Sequence, residues 1–240
     1  MNNPLALVFG GSRGIGAACV QALAQGGFDV AYTFIASASR VDAQFGSARV
    51  KAYAADVCVP EQVERVFADA ASDFGGAPHC VVANAGINVP PAPLAQFDPA
   101  QFRKLVEVNI VGAFNVLRVA AQQVVDGGSI IALTTSLVRH AVPGVGPYSA
   151  TKAAVECLLR SMAKELAPRK VRVNGVAPGP VDTDLFRAGK TEEAKARSAA
   201  LSPFNRVGLP REVAEVVAFL ASDKASWVHG QIVQPNGGLI

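Results

Sequence analysis

The 240-residue chain predicts a doubly wound α/β domain, a parallel sheet with helices on both faces, and three observations carry that expectation. Seven short β-type runs alternate with segments whose apolar residues recur at helical spacing. That alternation implies parallel pairing, because parallel strands need long crossover connections. A glycine-rich stretch directly follows the first run, where open parallel sheets favour a ligand.

In chain order the β-type runs are LALVF (5–9), FDVAYTF (28–34), RVKAYAA (49–55), HCVVANA (79–85), GSIIALTT (128–135), VRVNGVAP (171–178) and GQIVQP (230–235). The stretch GGSRGIG and an Ala-rich helical pattern follow the first run, giving strand, tight turn, helix. Val63, Val66, Phe67 and Ala70 mark a helix after the third run; VEVNIVGAF and the residues from YSATK onward are helical as well. Residues 182–206 are the least patterned part, charged and Ala-rich, and read as a lid or binding loop of irregular chain. A surface helix pair without function is the plainer alternative there. Val213, Val216, Val217 and Leu220 then mark the last helix. Pro, Gly and Ser are spread through the connections and no fixed-period repeat occurs, so residues 1–240 are expected to form one domain.

Composition narrows the function. Half the residues are hydrophobic, enough for a full core, and the net charge of +3 comes without a basic stripe, so no nucleic-acid partner is expected. Cys19, Cys58, Cys80 and Cys157 form no C-x-x-C pair and suit a reducing, cytoplasmic setting as free thiols. No apolar run approaches the roughly 20 residues of a membrane helix and no secretory leader is apparent, so no membrane partner is expected. His79, His140 and His229 lie far apart, which argues against a metal site.

GGSRGIG places Gly10, Gly14 and Gly16 around Ser12, Arg13 and Ile15. Glycines there remove Cβ atoms and permit positive φ, so a pyrophosphate can approach the backbone N–H groups at the start of the following helix. No Gly-Lys-Ser/Thr follows, so this is not a Walker loop.

Further motifs in order and spacing, AADV, VANAGI, VNIVGAFNV, YSATK, VRVNGVAPGPVDTDL and the closing RVGLPREVAEVVAFLASDKASWVHGQIVQPNGG, make the chain resemble the short-chain dehydrogenase/reductases, and among them the 3-oxoacyl-acyl-carrier reductase-like members. The resemblance runs from about residue 4 to the last strand and implies a three-layer Rossmann fold with a seven-stranded parallel sheet. Two positions depart from the family pattern: Phe9 stands where Thr is common and Ala83 replaces the first Asn of Asn-Asn-Ala-Gly.

An acid at the end of the second strand would accept hydrogen bonds from the ribose of NAD(H). Phe34 stands there instead, while Arg13, with Ser37, Ser39 or Arg40 in the next loop, can meet a 2′-phosphate. NADP(H) is therefore the preferred cofactor, with NAD(H) possible. The resemblance implies that Asp56 and Val57 lie against the adenine, that Asn84, Ala85 and Gly86 line the ribose and pyrophosphate side, and that Val181 and Thr183 hold the carboxamide. Pro178, Gly179 and Pro180 stiffen the loop that presents the last two.

Tyr148 and Lys152 sit four apart at a helix start, hence on one face. A phenol with a reference pKa of about 10 exchanges protons poorly at neutral pH until a nearby cation stabilises its anion. In the family the lysine supplies that charge and grips the nicotinamide ribose, and Asn109 matches a helix residue that holds a water in a proton relay. The hydroxyl that orients the substrate oxygen is Thr135 by spacing from Gly128 or Tyr148, and Ser136 by residue type. Spacing is the better guide, since Thr serves as well as Ser. Leu137, Val138, Val142, Val145, Leu185, Phe186 and Phe204 are candidate walls of an apolar substrate site, with His140 nearby. These residues imply an oxidoreductase interconverting a small-molecule ketone or oxoacyl group and a secondary alcohol, assembled by family habit as a homotetramer. The rival reading is a catalytically silent dinucleotide-binding sensor or assembly protein.

Overall fold

The computed structural model describes residues 3–36, 46–188 and 190–240. Seven parallel strands, β1 (Leu5–Phe9), β2 (Asp29–Phe34), β3 (Val50–Ala54), β4 (Cys80–Ala83), β5 (Ser129–Leu133), β6 (Arg172–Val176) and β7 (Ile232–Val233), form one sheet in the order β3-β2-β1-β4-β5-β6-β7. Each lies inside one of the seven β-type runs. The runs overshoot at the C-terminal ends, where the chain leaves the ladder to build turns. The winding reverses between β1 and β4, which opens a crevice above their C-terminal ends.

Alternation along the strands divides the core. Leu5, Leu7 and Phe9 of β1 pack on one side with α2 (Pro60–Phe74), α4 (Ala113–Gln123) and α5 (Gly146–Leu166). Ala6 and Val8 face the other side with α1 (Gly14–Gln25) and α8 (Pro210–Ala221). Both strand faces are buried, as in sheets covered on both sides. Phe9 and Ala83 are register partners, and the fully buried Phe9 ring stacks on Phe67 with centroids 5.6 Å apart. A large side chain beside a small one keeps this layer apolar where the family pattern has a polar pair.

The chain from Pro99 to Gln123 is continuously helical: α3 (Pro99–Val106), a π-helical turn (Glu107–Gly112), then α4. By length and composition this stretch could cross a membrane, although no single apolar run in the sequence is that long, and half of it is buried within the fold, as a core helix is. The described residues of 182–206 are not irregular throughout. They form α6 (Asp184–Arg187) and α7 (Glu192–Ala200), each capped by a threonine, Thr183 and Thr191. The pair is anchored at both ends. Val181 bridges Gly208, with Asp182 N–H donating to Gly208 O at 2.9 Å, and Ser202 Oγ donates to Gly237 O at 2.6 Å.

Candidate active site

The glycine turn joins β1 to α1 at the crevice. Gly10 has φ +79°, donates its N–H to Thr33 Oγ1 at 2.9 Å, and is thereby tied to β2. Asn84, just beyond β4, donates Nδ2 to Gly10 O at 2.8 Å. A methyl group at Gly16 would overlap that carbonyl and lie 2.5 Å from Asn84 Nδ2, so only glycine lets the helix start this close to the strand ends. Ile15 packs on the core beneath the turn. The first N–H groups of α1 have no intrahelical acceptor, and the glycines beside them carry no side chains. This cradle fits a dinucleotide pyrophosphate. Asn84 braces it with one of its two amide N–H groups, and Ala85 lines the turn, its Cα 2.8 Å from where a Gly10 Cβ would be.

Arg13 is the N-cap of α1, exposed and without a side-chain cap bond. Ser12 is partly buried beside it. Phe34 ends β2 as expected, whereas Ser37, Ser39 and Arg40 lie outside the described residues. At the end of β3, Asp56 uses Oδ1 to accept the Cys58 N–H at 2.9 Å. The Val57 side chain does not face the crevice: it is buried against Gly112 of the π turn, and its carbonyl accepts from Asn115 Nδ2 at 2.9 Å. The Val57 N–H has no acceptor among the described residues.

The segment after β6 closes the crevice from the other side. Pro178 O accepts the Ser136 N–H at 2.9 Å, and Gly179 N–H reaches Pro235 O at 3.2 Å with Asn236 packed against it. Val181 is buried. Thr183 caps α6 through Phe186 N–H at 3.1 Å, and its methyl group would be 3.4 Å from a Cβ placed on Gly14, so the base of the α6–α7 pair overhangs the glycine turn.

At the end of β5 the polar side chains converge. Lys152, on α5 one turn after Tyr148, is buried and donates Nζ to Leu133 O at 2.9 Å. Burial pushes the ammonium down to about 8 and the half-buried Tyr148 phenol up to about 12. The structure thus favours the neutral form of both groups through desolvation. Asn109, fully buried in the π turn, accepts the Ile87 N–H at 2.8 Å and donates Nδ2 to Ile87 O at 2.9 Å and Thr151 Oγ1 at 3.2 Å. Thr151 in turn donates to Tyr148 O at 2.7 Å. A Cβ on Gly86 would lie 3.1 Å from Asn109 Oδ1 and 3.2 Å from Lys152 Nζ, so hydrogen at that position lets both polar atoms approach one point.

The two hydroxyl candidates have different surroundings. Ser136 is 1% exposed and donates Oγ to Ala177 O at 2.8 Å. Thr135 Oγ1 accepts the Leu137 N–H at 3.3 Å, and its own proton has no acceptor among the described residues. None of the seven apolar wall candidates is in the buried core; Leu185 and Phe204 are largely exposed, and Phe186 lies under Lys190 Nζ at 3.7 Å. Sequence reasoning missed the Pro-rich segment 88–94, which reaches the loop before Tyr148 through Ala92 N–H to Gly144 O at 3.2 Å. Its run of prolines and the exposed Leu94 were the available signal. It also missed Thr151, whose hydroxyl is visible as a partner of Asn109 only in three dimensions.

A family model described as enoyl-(acyl carrier protein) reductase matches residues 10–240. A protein of Picea abies named short-chain type dehydrogenase/reductase is 40% identical over 98% of this chain and 92% of its own length. An Arabidopsis thaliana protein named NADPH-dependent aldehyde reductase-like protein is 39% identical over 98% of this chain and 94% of its own. Among solved structures, a short-chain dehydrogenase of Burkholderia cenocepacia J2315 in complex with NADP superposes with a TM-score of 0.90 at 31% identity, over 99% of this chain and 98% of that one.

Proposed function

Because the chain belongs to the short-chain dehydrogenase/reductase family of oxidoreductases, we propose that it is an NADP(H)-dependent reductase that interconverts a ketone or oxoacyl group and a secondary alcohol. The observation that carries this reading is the placement of Lys152: buried, one turn from Tyr148, and bonded to the Leu133 carbonyl that ends β5 two residues before Thr135, at the same sheet edge as the glycine cradle. The glycine turn, Gly10 to Gly16, would hold the dinucleotide, whose dihydronicotinamide would supply the hydride for the carbonyl carbon. Tyr148 gives its proton to the carbonyl oxygen, and Thr135 donates a hydrogen bond to the same oxygen and so orients it. Ser136, with its proton committed to Ala177 O, is reserved for holding β5 to β6. Lys152, when charged, stabilises the phenolate left behind, and Asn109 orders the chain around Ile87 beside it.

Phe34 and the exposed Arg13 support the preference for a 2′-phosphate: β2 ends in Phe34 rather than an acid, and the Arg13 guanidinium has no partner among the described residues and can offer it a charge-assisted bond. The relative named for NADPH and the neighbour complexed with NADP agree with that choice. The substrate belongs to the same reading as a small, largely apolar carbonyl compound entering between segment 88–94, the loop before Tyr148 and the α6–α7 pair. So does a homotetramer built through the fourth and fifth long helices and the final strand. Consumption of NADPH and of NADH across a panel of aldehydes, ketones and oxoacyl thioesters tests it. NADPH-linked reduction is expected, weakened selectively by Arg13→Ala; preference for NADH would defeat the cofactor assignment, and no turnover of any carbonyl would favour the silent binder.

A further inference from the structure

Four consecutive residues at the end of β5 have different partners. Leu133 O accepts from Lys152. Thr134, buried at 5% exposure, donates its hydroxyl to Glu156 Oε1 at 3.1 Å; Val176 O lies farther away at 3.4 Å, and a single proton cannot serve both. Ser136 is fixed to the segment after β6 by both its hydroxyl and its N–H. Thr135 lies between these attachments with its own proton uncommitted among the described residues.

Glu156 is one turn beyond Lys152 on α5 and only 4% exposed, its second oxygen 3.8 Å from the half-exposed Arg160. A carboxylate taken out of water loses hydration that a leucine would not have, so its retention in a helix face against the sheet calls for a specific bond. The bond it makes joins the helix bearing Tyr148 and Lys152 to the residue before Thr135.

We propose that Glu156 is a positioning residue: through Thr134 it sets the Thr135 hydroxyl against the Tyr148 phenol. The inference rests on the proposed reductase chemistry, and its test separates the two. Glu156→Gln keeps an acceptor for Thr134, and turnover should stay within about threefold, whereas Glu156→Leu and Thr134→Val should each lower kcat roughly tenfold with KM for NADPH nearly unchanged, as small misplacements of reacting groups do. In a Thr135→Ala background, where no hydroxyl remains to be placed, Thr134→Val should cost nothing more. An equal loss in both backgrounds means that the bond only supports the fold and overturns the proposal; so does Thr134→Val at full kcat. Thr134→Val changes shape little and serves if Glu156→Leu does not fold. A readout without turnover is hydrogen exchange at the Leu137 amide, which rests on Thr135 Oγ1: exchange should quicken about tenfold in Thr134→Val, on the scale of one lost hydrogen bond, and not in Glu156→Gln. Unchanged exchange in Thr134→Val also overturns the proposal. A protein that reduces no carbonyl yet shows this exchange pattern defeats the reductase reading and leaves the clamp intact.

Discussion

Lys152 and Tyr148 are withdrawn from water far enough to move their ionisation, the lysine down to about 8 and the phenol up to about 12. The charge that stabilises the phenolate is present below the lysine's value and lost above it. Carbonyl-reducing kcat/KM should therefore fall as pH rises through about 8, and a profile flat to beyond pH ~9.5 would show that Lys152 keeps its proton or is not needed. At the neighbouring hydroxyls, Thr135→Ala should cost about 2 kcal/mol or more in transition-state stabilisation, as lost oxyanion donors do, and Ser136→Ala much less. Ser136→Ala should instead destabilise the fold by about 1 kcal/mol through its lost buried bond, seen in denaturant unfolding. A larger kinetic loss at Ser136 would move the orienting role one residue along. The spacing from Tyr148 pointed to Thr135, yet adjacent hydroxyls look alike in a sequence; what distinguishes them is their partners, Ala177 O for the Ser136 proton and none among the described residues for that of Thr135. Val57 shows the converse. The motif singles it out for the adenine end, but which way its side chain points depends on the π turn, and nothing in the residue pattern announces that turn.

The elements that carry the site differ in how firmly they are held. The glycine turn is tied to β2 through Thr33 and to β4 through Asn84, whereas α6 and α7 bury none of their residues fully and are fixed mainly at Val181, Gly208 and Ser202. Segments with few buried contacts open at low free energy. Amides of residues 184–200 should exchange rapidly in the free protein and become protected when NADPH and substrate are both present, as a closing lid requires. Protection that does not change with ligands would make the pair a static surface feature. Its helices entered the reading of the sequence only as the alternative to an irregular loop, for the same reason that they are weakly held: a charged, Ala-rich stretch with no buried face has no apolar periodicity to detect. The strands, most of them buried on both faces, were legible run by run, with errors of one or two residues at either end; past the C-terminal end of β5, Thr134, Thr135 and Ser136 leave the ladder to build the site.

At the scale of the whole molecule, parallel winding brings the ends of β1, β3, β4, β5 and β6 to one edge, so that residues as distant in the chain as Gly14 and Thr183 become neighbours. The reversal between β1 and β4 opens the crevice, and the cradle, the Lys152 cluster and the overhanging α6–α7 pair surround it. Fold and cofactor edge were legible because each depends on local patterns, glycines after a strand and apolar alternation. The substrate was not, because the candidate walls, the partly buried Leu137 and the exposed Leu185 and Phe204 among them, come from separate parts of the chain whose relation to one another no local pattern sets. The chemistry assigned to this edge depends on one proton donor, and Tyr148→Phe removes that proton while leaving the ring. NADPH affinity and carbonyl turnover should be measured together, on a substrate that the unmodified protein reduces. Binding should persist nearly unchanged while turnover falls at least about 100-fold, the scale of general acid catalysis; undiminished reduction in Tyr148→Phe would contradict the mechanism.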